Sequence, residues 1–464
     1  MEKYTEIITS SIDENIPESS YVIELFENKK FAELKEALGE LHSADIAEIL
    51  DELPDEYFAP IYRLIPKELS AEVFVEMDSD RQEHVINSFT DRELSVFLDE
   101  LYLDDTVDII EEMPAVVVKR IIKNSKAENR ELINKLLKYP KDSAGSIMTT
   151  EYVRLRANIN VGEAISQIRK VALDKETVYT CYITDAQRHL IGIVTAKDIL
   201  IHSEDTLLSD IMEESVVFAR TTENREDVAL KFDKYGFLAL PVVDGEDRLV
   251  GIITVDDAME VIKTETDADF AKIAAVTPSE ESYLKTSSIS IWKARIPWLM
   301  LLMLSATFSS AILTKFESVL PTVLLIFVPM LMGTGGNGGT QVSVTVIRAI
   351  SVGELKFKDI PRVVLKEFFV GVLCAVSLGV VAFGKVMLVD NLIMQNPAAN
   401  IFVALAVGLA IGLTIMASKL VGCVLPLVAK KLGFDPAVMA SPFITTIVDI
   451  LSLILYFVVA QALL

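Results

Sequence analysis

The chain has 464 residues, 51% of them hydrophobic, with 67 Asp+Glu against 43 Lys+Arg and a formal net charge of −24. That charge is split: residues 284–464 carry 13 basic and 7 acidic side chains, a net of +6, which leaves a net of −30 on residues 1–283. Such an acidic excess repels nucleic acid, so no nucleic-acid partner is expected, and it attracts multivalent cations. Cys181, Cys374 and Cys423 are far apart, which argues against a disulfide framework or a CxxC zinc site. The opening residues 1–6 lack a basic segment followed by an apolar stretch, so no cleavable signal peptide is expected.

In chain order, the first pattern is a repeat. Leu53, Ile65, Met77, Phe89, Leu101 and Met113 recur every twelve residues, each preceded at −3 and −4 by apolar side chains. Pro54, Pro66, Asp78, Thr90 and Pro114 follow five of them as breakers or helix starts. Twelve residues make one short helix and a turn, too little to bury an apolar face alone, so residues 1–140 are expected to stack as an all-α solenoid.

Residues 141–262 alternate strand and helix patterns and contain a duplication. Gly192-Ile-Val-Thr-Ala-Lys-Asp198 and Gly251-Ile-Ile-Thr-Val-Asp-Asp257 share the pattern G-h-h-T-x-x-D, and the copies open with Ile147-Met148 and Ile211-Met212. The stretch resembles a tandem pair of α/β CBS domains, 141–203 and 204–262. That resemblance implies nucleotide contacts, ATP for instance, at Thr195 and Asp198, or at Thr254 and Asp257. The alternative is that each Thr caps a helix whose N-terminal dipole the Asp stabilises.

An acidic connecting segment, 263–292, leads to five apolar stretches near 296–314, 319–347, 363–389, 399–428 and 440–463, each long enough to cross a bilayer. Lys285, Lys293 and Arg295 precede the first. Arg348, Lys356, Lys358, Arg362 and Lys366 lie between the second and third, and Lys430 and Lys431 between the fourth and fifth. The positive-inside rule then puts the N-terminal half in the cytosol and the C-terminus outside. Trp292 and Trp298 read as interfacial anchors. Gly371 with Gly379, and Gly408 with Gly412, read as packing contacts. Five spans exclude an even internal duplication, so a pore on the axis between two copies is the simpler arrangement, and a homodimer is expected.

Two features of the membrane half suggest a cation pathway. Gly333-Thr-Gly-Gly-Asn-Gly-Gly-Thr-Gln341 reads as a glycine-dense break in the second span, where non-helical backbone must line a water-filled path or be buried in protein. Asp449 sits inside the last apolar run, where a carboxylate costs about 2.5–3.5 kcal/mol on insertion scales. Mg2+ sheds water reluctantly and prefers octahedral oxygen. One Asp per chain, doubled by a two-fold axis, with Thr445, Thr446 and Asn337 as polar neighbours, suits a largely hydrated ion.

With solenoid, CBS pair, acidic connecting helix and five spans in that order, the chain resembles an MgtE-type magnesium channel over essentially its whole length. Gly333–Gln341, Gly433-Phe-Asp-Pro436 and Ser441-Pro-Phe-Ile-Thr-Thr-Ile-Val-Asp449 are the most specific local matches. The resemblance implies a homodimeric multidomain membrane protein of the cell membrane that takes up Mg2+ and closes when cytosolic Mg2+ binds its soluble acids. It assigns Asp449 as the central pore carboxylate and Asp435 as the cytoplasmic-side one; Gly335, Gly336, Asn337, Gln341 and Thr445 are expected to line the path. It assigns sensing to Asp104 and Asp108 and to Glu72 in the solenoid. In the second CBS repeat and the connecting "plug" helix it assigns Glu226, Asp257, Glu260, Glu265 and Asp269. Asn224, Gly236 and Ala268 stand where the family's pattern has carboxylates, with Asp267 a candidate substitute.

Two other readings stay open on sequence alone: a sodium- or proton-coupled divalent cation carrier, and a membrane-anchored CBS nucleotide sensor. No P-loop, HExxH or Ser/His/Asp set appears, so an enzyme is not expected.

Overall fold

The computed structural model describes residues 19–279, 283, 286–317, 321–355, 357–438 and 441–464. Lys285, Lys356 and the first six residues, used above for topology and targeting, lie outside them. The chain divides into two compact units, Met1–Val261 and Ile262–Leu464.

Among the described residues the first unit opens with ten helices: α1 (Ser19–Glu27), α2 (Phe31–Gly39), α3 (Ser43–Asp51), α4 (Asp55–Tyr62), α5 (Lys67–Val75), α6 (Ser79–Ser88), α7 (Asp91–Phe97), α8 (Leu103–Glu112), α9 (Ala115–Asn124) and α10 (Ala127–Leu136). Every one starts twelve residues after the last, so the repeat read from Leu53 to Met113 extends in both directions. Pro54, Pro66 and Pro114 stand immediately before helices, where a fixed φ and a missing N–H cost nothing. Thr90 closes a full capping box with Glu93. The apolar side chains of successive helices merge into one core, with Leu34, Leu50, Phe58, Ile61, Phe74 and Ile121 fully buried.

The same unit continues into two matching three-stranded sheets. β1 (Tyr152–Arg156), β2 (Thr177–Thr184) and β3 (Leu190–Thr195) form the first; β4 (Ala219–Arg220), β5 (Ala239–Val243) and β6 (Leu249–Thr254) form the second. In each, the outer pair is parallel and the following pair antiparallel. The flanking helices are α11 (Val161–Val171), α12 (Ala196–Ile201), α13 (Leu208–Ile211), α14 (Arg225–Tyr235) and α15 (Val255–Ile273).

The duplicated motif has a packing logic. Thr149 bridges Ile252 and Glu213 bridges Ile193, so the lead-in of each repeat pairs with the last strand of the other. A Cβ on Gly192 would meet Met212 Sδ at 2.9 Å, and one on Gly251 would meet Met148 Sδ at 2.7 Å. The two Ile-Met openings and the two motif glycines are therefore reciprocal partners, which locks the repeats together.

The second unit contains α16 (Ser288–Glu317), α17 (Thr322–Leu325), α18 (Val328–Ser351), α19 (Ile360–Lys385), a π-helical segment (Val386–Ile393), α20 (Ile401–Lys431) and α21 (Ser441–Leu463). Among the described residues five helices are long and apolar enough to span a bilayer: Ser288–Phe316, Thr322–Ser351, Ile360–Ile393, Ile401–Lys431 and Pro442–Leu463. The most buried of these spans is α20, packed by α18, α19 and α21. In contrast α16 leaves Leu299, Leu304 and Phe308 exposed, as a lipid-facing helix does. Gly379 and Gly408 meet backbone to backbone: a Cβ on Gly408 would lie 2.8 Å from Gly379 O.

The glycine-dense stretch corrects the expectation of a break. Helix α18 runs uninterrupted through Gly333–Gln341. A Cβ on Gly335 would meet Ser452 Oγ and Thr414 Cγ2 at 2.8 Å, and one on Gly339 would meet Ile444 Cγ2 at 2.7 Å. The glycines let α20 and α21 approach the α18 backbone; Ser418 Oγ donates to Gly335 O at 2.5 Å. Tight helix packing satisfies the same composition that suggested unwinding.

Candidate metal sites and ion path

In the first unit, Asp104 and Asp108 lie one turn apart on α8, sharing a face as i, i+4 spacing requires, with Asp105 beside them. Glu151, just before β1, and Glu176, just before β2, come up against this face; the Glu176 N–H donates to Glu151 O at 2.9 Å. Carboxylate oxygens of Asp104, Glu151 and Glu176 all lie within 4.8 Å of one another. Asp104 is only 8% exposed. Asp104 Oδ1, Glu151 Oε2 and Glu176 Oε2 are buried with no hydrogen-bond partner among the described residues.

This cleft collects negative charge away from water, and desolvation is the first cause of every shift within it. With the charges of Asp105 and Glu151, it pushes Asp104 up to about 7. Asp105, facing Asp257, rises to about 7, and Glu176, facing Asp104, to about 8. Asp257 is pushed up to about 7 by desolvation and Asp104, against a hydrogen bond from Thr254. Desolvation also raises Glu151. Asp108 is driven to about 8 by desolvation and then Asp104, although its side chain keeps an exposed face that weakens the effect. Unpartnered oxygens from three separate segments are the donor set a hard divalent cation takes, and such an ion would remove the repulsion.

The structure thus brings Asp104, Asp108 and Asp257 into one cleft, with Glu260 contributing to the field at Asp108. Sequence reading missed Asp105, Glu151 and Glu176. The trio contains neither Glu72, exposed on α5, nor Glu226, in the first turn of α14. Two of the absent family acids have local roles here: Asn224 Oδ1 accepts from Glu226 N at 2.8 Å, and Gly236 ends α14 at φ +66°, a left-handed cap suited to glycine. Thr195 and Asp198 form a capping box on α12, and Thr254 Oγ1 donates to Asp257. Thr195 does what the capping alternative describes, whereas Thr254 is held to Asp257 through its hydroxyl and its backbone N–H.

In the second unit, the end of α15 is tied to the helical bundle. Ser351 Oγ donates to Asp269 Oδ2 at 2.9 Å, and Lys272 Nζ lies 2.7 Å from Asp435 Oδ2. Asp435 Oδ1 also accepts from Ala437 N at 2.8 Å. Desolvation raises the Asp269 pKa, opposed by the Ser351 bond and reinforced by the charge of Asp435; Glu265 adds to that field. An ammonium therefore already neutralises the carboxylate that sequence reading assigned to the cytoplasmic side. Lys272 had escaped attention because that reading weighed acids.

Asp449 is half-buried on α21, and among the described residues no hydrogen bond or ion pair reaches it. Thr445 Oγ1 donates to Pro442 O at 2.9 Å, and its methyl would lie 3.3 Å from a Cβ on Gly336. Thr446 meets Ser305 of α16 at 3.1 Å. Asn337 and Gln341, one turn apart on the exposed face of α18, border a cavity that does not include Asp449.

Comparison with known proteins follows the same division. Residues 328–459 match the MgtE divalent cation transporter family, 41–142 the MgtE intracellular N domain, and 144–205 and 208–264 the CBS domain. The chain is 35% identical over 437 residues to the magnesium transporter MgtE of Thermus thermophilus, covering 93% of this chain and 95% of that one. The chain belongs to the MgtE family. A second MgtE, from Bacillus subtilis, is 30% identical over 447 residues, covering 95% of this chain and 96% of the relative. The crystal structure of the cytosolic domain of the Mg2+ channel MgtE in complex with ATP aligns with a TM-score of 0.50 at 34% identity, covering 52% of this chain and 99% of that one. The soluble part of a magnesium transporter gives the same TM-score at 29% identity, covering 53% of this chain and 97% of that one.

Proposed function

We propose that this MgtE-family chain is a Mg2+ channel of the cell membrane that closes when cytosolic Mg2+ binds its soluble acids. The observation that carries the pathway is Asp449, a half-buried carboxylate without a partner among the described residues, inside a membrane-spanning helix. A charge at that depth without a salt bridge is a functional feature rather than a packing one. In a homodimer two copies of Asp449 would face each other across the axis, with Thr445, Asn337 and Gln341 contributing polar surface and Gly335 and Gly336 admitting the close helix packing. The N-terminal unit lies in the cytosol and the C-terminus outside, supported by Arg348, Arg362, Lys430 and Lys431 at alternate loops.

Closure belongs to the acidic cleft and the end of α15. Ions bridging Asp104, Glu151 and Glu176, and the neighbouring Asp108 and Asp257, favour the compact soluble unit. Ions at Asp269 and Asp435, which must displace Lys272, favour a docked α15. Binding that prefers the closed form must stabilise it. The similar cytosolic domain solved with ATP supports nucleotide binding at this CBS pair near Thr195, Asp198 and Thr254 as an additional input.

The test is Mg2+ flux into liposomes containing the purified protein. Asp449→Ala should abolish flux while leaving insertion and dimerisation intact, since removing a buried charge eases insertion. Near-normal flux in that variant refutes the pathway.

A further inference from the structure

Lys419 sits in the middle of α20, the most buried of the spans, and is itself only 7% exposed. It lies twelve residues before Lys431, about 18 Å along the helix, so its ammonium cannot reach the polar end of the span by stretching. Its stem crosses Gly371 of α19: a Cβ there would lie 3.7 Å from Lys419 Cδ. The side chain borders a cavity of about 200 Å³ between α18, α19 and α20, lined also by Thr334, Asn337, Gln341, Cys374 and Ile415. Among the described residues no ion pair or hydrogen bond reaches the Lys419 ammonium. That includes Glu367, one turn before Gly371 on α19. Thr334 Oγ1 is spent on Met330 O at 2.7 Å, whereas the Asn337 and Gln341 amides are committed to no partner among the described residues of the bundle.

An ammonium that keeps its charge in a low-dielectric interior requires a counter-charge. The donors around this cavity are an ammonium and the N–H groups of two carboxamides, a set that suits an anion. We propose that the cavity is an anion site, in which one small halide or oxyanion sits against Lys419 and the Asn337 and Gln341 amides complete its shell. The depth of Lys419 favours a diffusible ion over a phospholipid headgroup, though both present the same oxyanion chemistry. The site shares Asn337 and Gln341 with the polar surface of the proposed Mg2+ path, but Lys419 and its cavity involve neither Asp449 nor the acidic cleft.

The full-length protein in neutral-lipid nanodiscs provides the test. Its thermal midpoint is followed at constant ionic strength and fixed Mg2+ while gluconate, a bulky organic anion, is replaced by bromide or phosphate. A saturable upward shift with the small anions is expected in the wild type, retained in Lys419→Arg and lost in Lys419→Met. Gln341→Leu should raise the half-saturating concentration several-fold, and bromide should give anomalous density beside Lys419. A shift produced by anionic lipid but not by free anions supports the site and identifies a headgroup as its source. The proposal is overturned if neither source shifts the wild type, or if Lys419→Met responds as the wild type does. It is also overturned if Lys419→Met splits a dimer while free anions have no effect, because the counter-charge is then a carboxylate of a second copy. Should Lys419→Met fail to fold, the wild-type, Lys419→Arg and Gln341→Leu titrations still decide.

Discussion

Replacing Asp104 by Asn should stabilise the metal-free protein, and do so only above mildly acidic pH. The Asp104 carboxyl titrates near 7 in the fold against an ordinary 3.8. The folded state therefore holds the proton more tightly than the unfolded one. Stability falls as pH rises from about 4 to about 7 and is level above that window. The difference is worth about 4 kcal/mol at pH 8, at about 1.4 kcal/mol per pH unit. For a unit of this size it corresponds to a gain on the order of 8 °C or more in the midpoint of the soluble transition. The carboxamide gives up that destabilising charge at little change in volume. The assay is thermal unfolding of the full chain in EDTA across pH 4–8, repeated with excess Mg2+. The variant should unfold several degrees higher at pH 8, converge with the wild type near pH 4, and gain less from Mg2+. A wild type flat across that range, or a variant with the same pH dependence, would refute the view of the cleft as an uncompensated carboxylate cluster.

Gly335→Val should reduce the yield of folded protein, because its side chain collides with Ser452, Thr414 and Val448 around α18; overpacking of this kind costs about 1–3 kcal/mol, and monodispersity in detergent reports it. Lys272→Met should free Asp435 for a divalent ion and lower the Mg2+ concentration that closes the channel by a few-fold, read from flux titrations; an unchanged threshold would mean the ion pair is a bystander. Limited proteolysis of the soluble unit should slow in millimolar-range Mg2+, as weak, water-retaining sites require, and Asp104→Asn combined with Asp257→Asn should remove the protection.

Much of the fold was legible because it repeats. The twelve-residue pitch of the solenoid was visible wherever an apolar residue closed the repeat. It was hidden where Lys29 and Ser125 occupy that position, although α1, α2, α9 and α10 keep the same spacing. The doubled G-h-h-T-x-x-D motif identified the two sheets, while the reason for its glycines emerged only when Met148 and Met212 were seen packed against them. Glycine content in α18 was ambiguous, since close helix approach and an unwound path both demand small residues; only the neighbouring Thr414, Ser418 and Ile444 resolve it. Asp104 and Asp108 could be singled out through the family resemblance of their segment, Leu103–Asp108. Glu151 and Glu176 could not, because each is a single acid before a strand and they meet Asp104 only through tertiary folding.

In the proposed function the protein conducts Mg2+, and Mg2+ itself shuts it. The most direct test is Mg2+ flux through liposome-reconstituted protein as a function of Mg2+ on the side bearing the N-terminal unit, with no sodium or proton gradient imposed. Flux should be brisk at low Mg2+ and fall steeply over the millimolar range. Flux indifferent to Mg2+ on that side, or appearing only when a sodium or proton gradient drives it, would contradict the proposed function.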